Sequence, residues 1–247
     1  MPLYIGGSNA SLRNFETMIE LPNEIECKNW TYLCVFDSEI DLAPLAQPDL
    51  PESMRSQLSR TEVGITVSTV NSEFGRYDRE KFTELLIKVP AHIGGTAYTF
   101  PVRTYVDSEL SLIRGFLLGF YKKFAPRLHS EPAPYHVEVD ELNFHLHEVT
   151  PVAATGLDQF IPYDRQIITY ANYSAGVSED RGGLRVLDCR DRVETCRPVQ
   201  YRTSGGGDLL GQKFEITSMW TTASQFLISG STLVADDRGR TDDDVLA

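Results

Sequence analysis

Lys122 and Lys123 stand side by side at the end of GFLLGFYKKFAP, one of the greasiest segments of the chain. An amine attacks a ketone only when it is neutral. Burial in apolar surroundings disfavours the ammonium form and lowers its pKa, and a second cation nearby acts in the same direction. A lysine activated in this way forms Schiff bases with carbonyl substrates. On an extended segment successive side chains diverge, so desolvation then outweighs the neighbour's charge. The same pair also suits a solvated position just past a helix, where cations complement the negative end of the dipole. Burial separates the two readings.

Other residues able to do chemistry give weaker patterns. FHLHE (144–148) puts His145 and His147 on one face of a strand, where the pair could hold two metal positions with His136 or Glu148 as a third ligand. No third ligand falls at a recognisable spacing, so two ordinary histidines on a half-exposed face are favoured and no metal is assigned. SGGGD (204–208) reads as a flexible loop without the flanking strand, helix and lysine of a phosphate-binding loop. Cys27 and Cys34, like Cys189 and Cys196, are seven residues apart, unlike the tight pairs of a zinc site. Cys27 and Cys34 differ by an odd number, so on a strand they face opposite sides. Reduced thiols, mostly buried, are expected. DRGGLRVLDCRDRVE (180–194) mixes charges and reads as solvated.

The elements that must position the lysines are mostly strands. WTYLCVF (30–36) is rich in aromatic and β-branched residues. A short helical stretch is expected from Ser38-Glu39 toward Leu45, ending at the Pro48 and Pro51 region. Strands are expected at 63–70, 82–89 and 97–106, with turns at Gly75 and Gly94-Gly95. One helix follows, from Ser108 to Gly119: Ser108 caps it, Glu109 sits in its first turn, and Gly119 ends it. Leu110, Ile113, Phe116, Leu117 and Phe120 fall on one face, widened by Leu112 and Leu118, so this helix is expected to be largely buried. Strands at 136–149 and 166–173 come next, then shorter ones at 184–187, 199–202, 213–219 and 225–228. The charged tail 235–247 is expected to fray.

These elements give a β-rich α+β fold in a single domain over 1–247. The simplest form is a curved, mostly antiparallel sheet or cone-like barrel with a few helices. The formal charge of −12, from 23 basic and 35 acidic residues, repels phosphate backbones and makes nucleic acid an unfavourable partner. The longest apolar run, Leu110 to Phe120, is too short for a membrane span and contains Arg114. MPLYIGGSNASLR lacks the basic start and apolar core of a signal peptide, so a cytoplasmic protein is expected. The glycosylation triplets at Asn29 and Asn172 then carry no weight.

YVDSELSLIRGFLLGFYKKFAP (105–126) resembles the region around the reactive lysine of the acetoacetate decarboxylase-like family. Three further stretches agree in order: NWTYLCVFDSEIDLAPLAQPDLPES (29–53), FTELLIKVP (82–90) and MWTTASQFLI (219–228). The resemblance implies a cone-like β-barrel with a deep apolar cavity, usually in an oligomer. It implies that Lys122 is the Schiff-base residue, Lys123 its cationic neighbour, Glu84 an orienting group and Phe120 part of the pocket lining. Three positions depart from the family pattern. Phe116 replaces a carboxylate in the helix, Trp30 replaces an arginine beside the first strand, and ITVST (65–69) lacks a second glutamate. With Trp30 and Phe116 as substrate-binding residues, the pocket is expected to be larger and greasier than one built for acetoacetate.

The resulting expectation is a lyase working through an imine on Lys122, without metal or organic cofactor, acting on a β-keto or polyketide-like substrate. The iminium would serve as electron sink for breaking a neighbouring carbon–carbon bond, by decarboxylation or retro-aldol cleavage. One alternative keeps the lysine but performs aldol condensation, dehydration or cyclisation in secondary metabolism. Another is a non-catalytic binder of a hydrophobic ligand. The expected partners are a small ketone and further copies of the chain, with no nucleic acid and no membrane.

Overall fold

The protein is described by a computed structural model covering residues 22–74, 77–128, 135–152, 157–171 and 183–236. The expected tail, apart from Ala235 and Asp236, lies outside these residues, as do the Asn172 triplet and the end of the strand expected at 166–173.

Ten strands form one curled sheet, a half-barrel. They are β1 (Asn23–Asp41), β2 (Ser59–Phe74), β3 (Tyr77–Ile93), β4 (Thr96–Val106), β5 (Lys122–Phe124), β6 (His136–Val139), β7 (Leu142–Val152), β8 (Ile168–Ala171), β9 (Gly183–Leu209) and β10 (Gln212–Asp236). Their order is β5-β4-β3-β2-β1-β10-β9-β7-β6, with β8 also paired to β9. All pairings are antiparallel except β4 with β5. Parallel neighbours need a crossover, and the helix α2 (Glu109–Leu117) supplies it. A short helix α1 (Glu52–Arg55) and a 3-10 helix (Leu157–Tyr163) complete the elements. Among the described residues, no helix is long and apolar enough to cross a membrane.

The strands expected at 30–36, 63–70, 82–89 and 97–106 are present and longer; the one expected at 136–149 is split into β6 and β7 by a turn at Asp140 and Glu141, the one at 166–173 is the shorter β8, and the last four merge into β9 and β10. No helical stretch runs from Ser38 to Leu45: β1 continues to Asp41, because after an irregularity Ile40 and Asp41 resume pairing with Arg60 and Ser59. The turn forms beyond it, with Ala43 N donating to Asp41 Oδ1 at 2.9 Å. The helical turn sits instead after Pro51, as α1. SGGGD is not a loop. It lies within β9, paired to β7 and β10, and a Cβ on Gly207 would come within 2.1 Å of the Asn143 carbonyl. Glycine serves there for close backbone approach.

The two faces of the sheet carry separate apolar clusters. One holds Trp30, Tyr32, Cys34, Ile65, Leu85 and Phe144, with the Tyr32 and Phe144 rings 5.0 Å apart. The other holds Ile25, Cys27, Val70, Phe82, Leu86, Val106 and Phe120, and faces α2. The period-two alternation of strands sorts the residues between them, and it places Cys27 and Cys34 on opposite faces as expected.

The 3-10 helix is seated on the sheet by Tyr163, whose hydroxyl donates to Glu62 at 2.8 Å. Its ring lies on Gly64: a Cβ there would stand 2.3 and 2.7 Å from two ring carbons. A ring held by packing does not swing aside as the end of a flexible chain does. Gly64→Ala is therefore expected to destabilise the protein by about 1–3 kcal/mol through overpacking. That corresponds to a fall in melting temperature of several degrees. An unchanged melting curve would show that Tyr163 relocates without cost.

Candidate functional site

The site is built by three devices that bring Lys122 under α2. Ser108 caps α2, its side chain accepting from Ser111 N at 3.0 Å. Gly119, at φ 82°, ends the helix in the left-handed region that favours glycine. The chain then turns through Phe120 and Tyr121 into β5, where Lys122 pairs with Thr104 of β4.

The helix is oriented differently from the face its leucines suggest. Ile113 and Phe116 are exposed, whereas Ser108, Ser111, Arg114 and Leu118 are buried. The inward face is largely polar because it looks onto a cavity rather than a solid core. Arg114 is held there by Ser72 Oγ and the Glu73 carbonyl, both at 2.8 Å. Burial lowers its pKa to about 10, against the opposing pull of Glu84 and Glu80.

The cavity has a volume of about 350 Å³, within the range of small-molecule sites. Alternate residues of four strands face it: Asn29 and Thr31 on β1, Thr66 and Ser68 on β2, Glu84 and Lys88 on β3, Thr222 and Ser224 on β10. Apolar side chains of the second cluster fill the spaces between them. The polar residues are linked across strands. Ser68 Oγ donates to Asn29 Oδ1 at 2.7 Å, Asn29 Nδ2 donates to Thr222 Oγ1 at 3.2 Å, and the Thr31 and Thr66 hydroxyls lie 2.9 Å apart.

Lys122 projects into this cavity and is buried. Its ammonium donates to the Glu84 carboxylate and, at 3.0 Å, to Ser111 Oγ. Its Nζ lies 5.4 Å from the centre of the Phe120 ring. Burial pulls the Lys122 pKa below the ordinary lysine value; Glu84 opposes this and Arg114 adds to it. An amine pinned by a carboxylate and a hydroxyl, with lowered basicity, at the wall of a cavity is suited to nucleophilic attack on a carbonyl.

Lys123 is turned to the other side of β5. It is half-exposed and pairs with Asp140 at 2.5 Å and Glu141 at 3.2 Å, acids that raise its pKa. It does not line the cavity. The cation that acts on Lys122 from within the site is Arg114, a residue that the sequence reading treated only as an interruption of an apolar run.

Two expected lining residues are absent from the cavity wall. Trp30 is buried in the cluster on the opposite face, since residues 29 and 31 take the inward positions and a one-residue offset reverses the side. Phe116 is 38% exposed on the outer side of α2. The argument that these two aromatics make the pocket greasier and exclude acetoacetate therefore does not stand. Phe120 does line the cavity, together with Glu84 and Lys122. His145 and His147 occupy exposed positions on β7, with His136 paired opposite His145. Among the described residues, no three histidine, cysteine or acidic side chains converge as a metal site would require.

No protein-family model matches the chain, and no curated protein matches its sequence. Solved structures do match in fold. The enduracididine biosynthesis enzyme MppR superposes with a TM-score of 0.57 at 14% identity, over 88% of each chain. An acetoacetate decarboxylase-like enzyme from Sphingomonas wittichii RW1 gives 0.57 at 17% identity, over 87% of this chain and 93% of that one. The acetoacetate decarboxylase of Legionella pneumophila gives 0.55 at 14% identity, over 87% and 88%. The chain thus shares the fold of acetoacetate decarboxylase-like enzymes over 87–88% of its length.

Proposed function

We propose that the protein is an enzyme that forms an imine between Lys122 and a substrate ketone, and uses it to break a carbon–carbon bond of a β-keto or polyketide-like substrate. The observation that carries this reading is the buried Lys122 amine, bonded to Glu84 and Ser111 at the wall of a cavity. Glu84 is placed to accept the ammonium proton. The free amine adds to the carbonyl, and loss of water gives the iminium. The iminium takes up the electron pair of the adjacent carbon–carbon bond as carbon dioxide leaves from a β-carboxylate, or as an aldehyde leaves from a β-hydroxyl whose proton passes to the Glu84 carboxylate. Protonation of the enamine at carbon and hydrolysis then return the lysine. Every electron shift is accommodated by the imine, so no redox partner enters the scheme.

A second reading is aldol condensation or dehydration through the same imine. It draws support from β2, which offers Thr66 and Ser68 to the cavity rather than a second carboxylate. It also draws on MppR, solved in complex with the condensation product of pyruvate and imidazole 4-carboxaldehyde.

Borohydride reduction in the presence of acetoacetate, longer and aromatic β-keto acids, and pyruvate with an aldehyde tests both readings. The expected result is a reduced adduct on Lys122, located by mass mapping. Release of carbon dioxide marks the first chemistry; a condensed product without gas release marks the second. Failure of every ketone to label Lys122 would leave the cavity as a binding site only.

The pH dependence of trapping follows from the electrostatics. The amine fraction rises with pH, and the lowered pKa of Lys122 puts the inflection below the ordinary lysine range. Glu84 favours the charged form, so Glu84→Gln is expected to move the inflection to lower pH still. It also removes the proton acceptor, so the plateau rate is expected to fall by about 10²-fold or more. An inflection that stays in place or moves upward would show that Glu84 does not act on the amine.

A further inference from the structure

The cavity contains a second buried amine that the proposed reaction does not use. Lys88 lies on β3 four residues beyond Glu84, on the same face, so the two positions are about 13 Å apart along the strand. Lys88 is only 7% exposed and lines the cavity. Its Nζ donates to the Tyr163 carbonyl at 2.6 Å. Among the described residues, no carboxylate oxygen lies within 4.0 Å of it, in contrast to Lys122 with Glu84. The nearest acid that acts on it, Asp164, is engaged by Arg192 at 3.2 Å. Asp164, Arg165 and Arg192 all line the cavity with Lys88, so the acid that reaches Lys88 is shared with a guanidinium.

An ammonium group has three donors. Here one is used, on a neutral acceptor, and the charge is removed from water without a carboxylate in direct contact. Buried charges are ordinarily paired, because the cost of desolvating one alone is large. An anion entering the cavity would relieve that cost and take the remaining donors in charge-assisted hydrogen bonds. We propose that Lys88 holds a carboxylate of the substrate, remote from the carbonyl that Lys122 attacks, so that the substrate is a keto acid whose two functional groups are separated by an apolar chain. This rests on the imine reading for the carbonyl end, but the anion site stands on Lys88 alone. Burial lowers the Lys88 pKa to about 8, partly countered by Asp164, which leaves the group mostly charged near neutrality and responsive to an added anion.

The bland alternative is that Lys88 only ties the 3-10 helix to β3. Binding of octanoate and of its neutral isostere octanamide, measured by calorimetry at pH 7, separates the two. The wild-type protein is expected to prefer octanoate at least tenfold. The preference is expected to survive Lys122→Met and to disappear in Lys88→Met with octanamide affinity retained. Lys88→Gln keeps a donor for the Tyr163 carbonyl and loses the charge, so it provides the same comparison if Lys88→Met fails to fold. Equal affinity of the wild type for both probes, or a preference that persists without the Lys88 charge, would overturn the proposal. Loss of the preference in folded Lys122→Met would also overturn it, by placing the anion at Lys122. Borohydride labelling reports on the imine separately, so failure of one reading is not confused with failure of the other.

Discussion

Lys122→Met is expected to lose turnover by at least about three orders of magnitude while the protein remains folded. Methionine keeps most of the stem volume and removes the nucleophile, and nucleophile removal in covalent catalysis costs factors of this size or larger. Breaking a fully buried ion pair costs roughly 3–5 kcal/mol. The cost here is expected to fall below that range, because the Glu84 side chain is 16% exposed and keeps the Ser111 hydroxyl nearby. Melting temperature and borohydride labelling, measured on the same preparation, decide the outcome. Near-normal turnover in a folded Lys122→Met protein would eliminate the imine. The matched control is Lys123→Ala, expected to reduce turnover far less. Its side chain is 38% exposed and its partners Asp140 and Glu141 lie on the outer surface, where ion pairs contribute about 0–1 kcal/mol. If Lys123→Ala were the inactive variant, the two lysines would have to exchange roles.

The sequence revealed the parts of the fold governed by local rules. A strand was expected at 82–89 and lies within β3, Ser108 and Gly119 bounded α2, and the divergence of neighbouring side chains on an extended segment anticipated the opposite fates of Lys122 and Lys123. It failed where burial is decided by what lies opposite. Leu110, Ile113 and Phe116 suggested the buried side of α2, yet that helix covers a cavity, so Ser111 and Arg114 face inward and Ile113 and Phe116 remain in solvent. Trp30 fell on the wrong side because a strand register cannot be fixed to one residue from composition. β9 was read as two short strands because residues 188–198, largely exposed, show no alternation with a core; they are nevertheless paired along β10. Lys88 passed unnoticed inside LLIKVP, since a lone lysine in an apolar strand is taken as the solvated side of the pleat. Its spacing of two from Leu86 and four from Glu84 was the available signal, because it places Lys88 on the same face as the catalytic candidate.

Gly115→Ala is expected to separate stability from activity more cleanly than any change at a charged residue. Gly115 lies in α2 directly over the Lys122 side chain. A Cβ there would stand 2.0 Å from Lys122 Cε, 2.3 Å from Cδ and 2.9 Å from Nζ. These atoms are the far end of a flexible chain, so the clash is relieved by displacing the lysine rather than the backbone. Alanine is favoured over glycine inside a helix by about 1 kcal/mol, which offsets part or all of the cost of that displacement. The folded state should therefore be nearly as stable as the wild type, or slightly more so. The displaced amine, however, leaves the position where Ser111 and Glu84 hold it. Misplacing a reacting group by about 1 Å costs on the order of 10²-fold in rate, so borohydride labelling and turnover are expected to fall together by at least that factor. A melting temperature within a few degrees of the wild type, with labelling strongly reduced, would establish that the close approach of Gly115 positions the lysine. Full labelling in Gly115→Ala would mean that the amine reaches its carbonyl from more than one rotamer and that the contact with α2 is dispensable. A large loss of stability would show instead that the lysine stem is wedged and that the helix has to move.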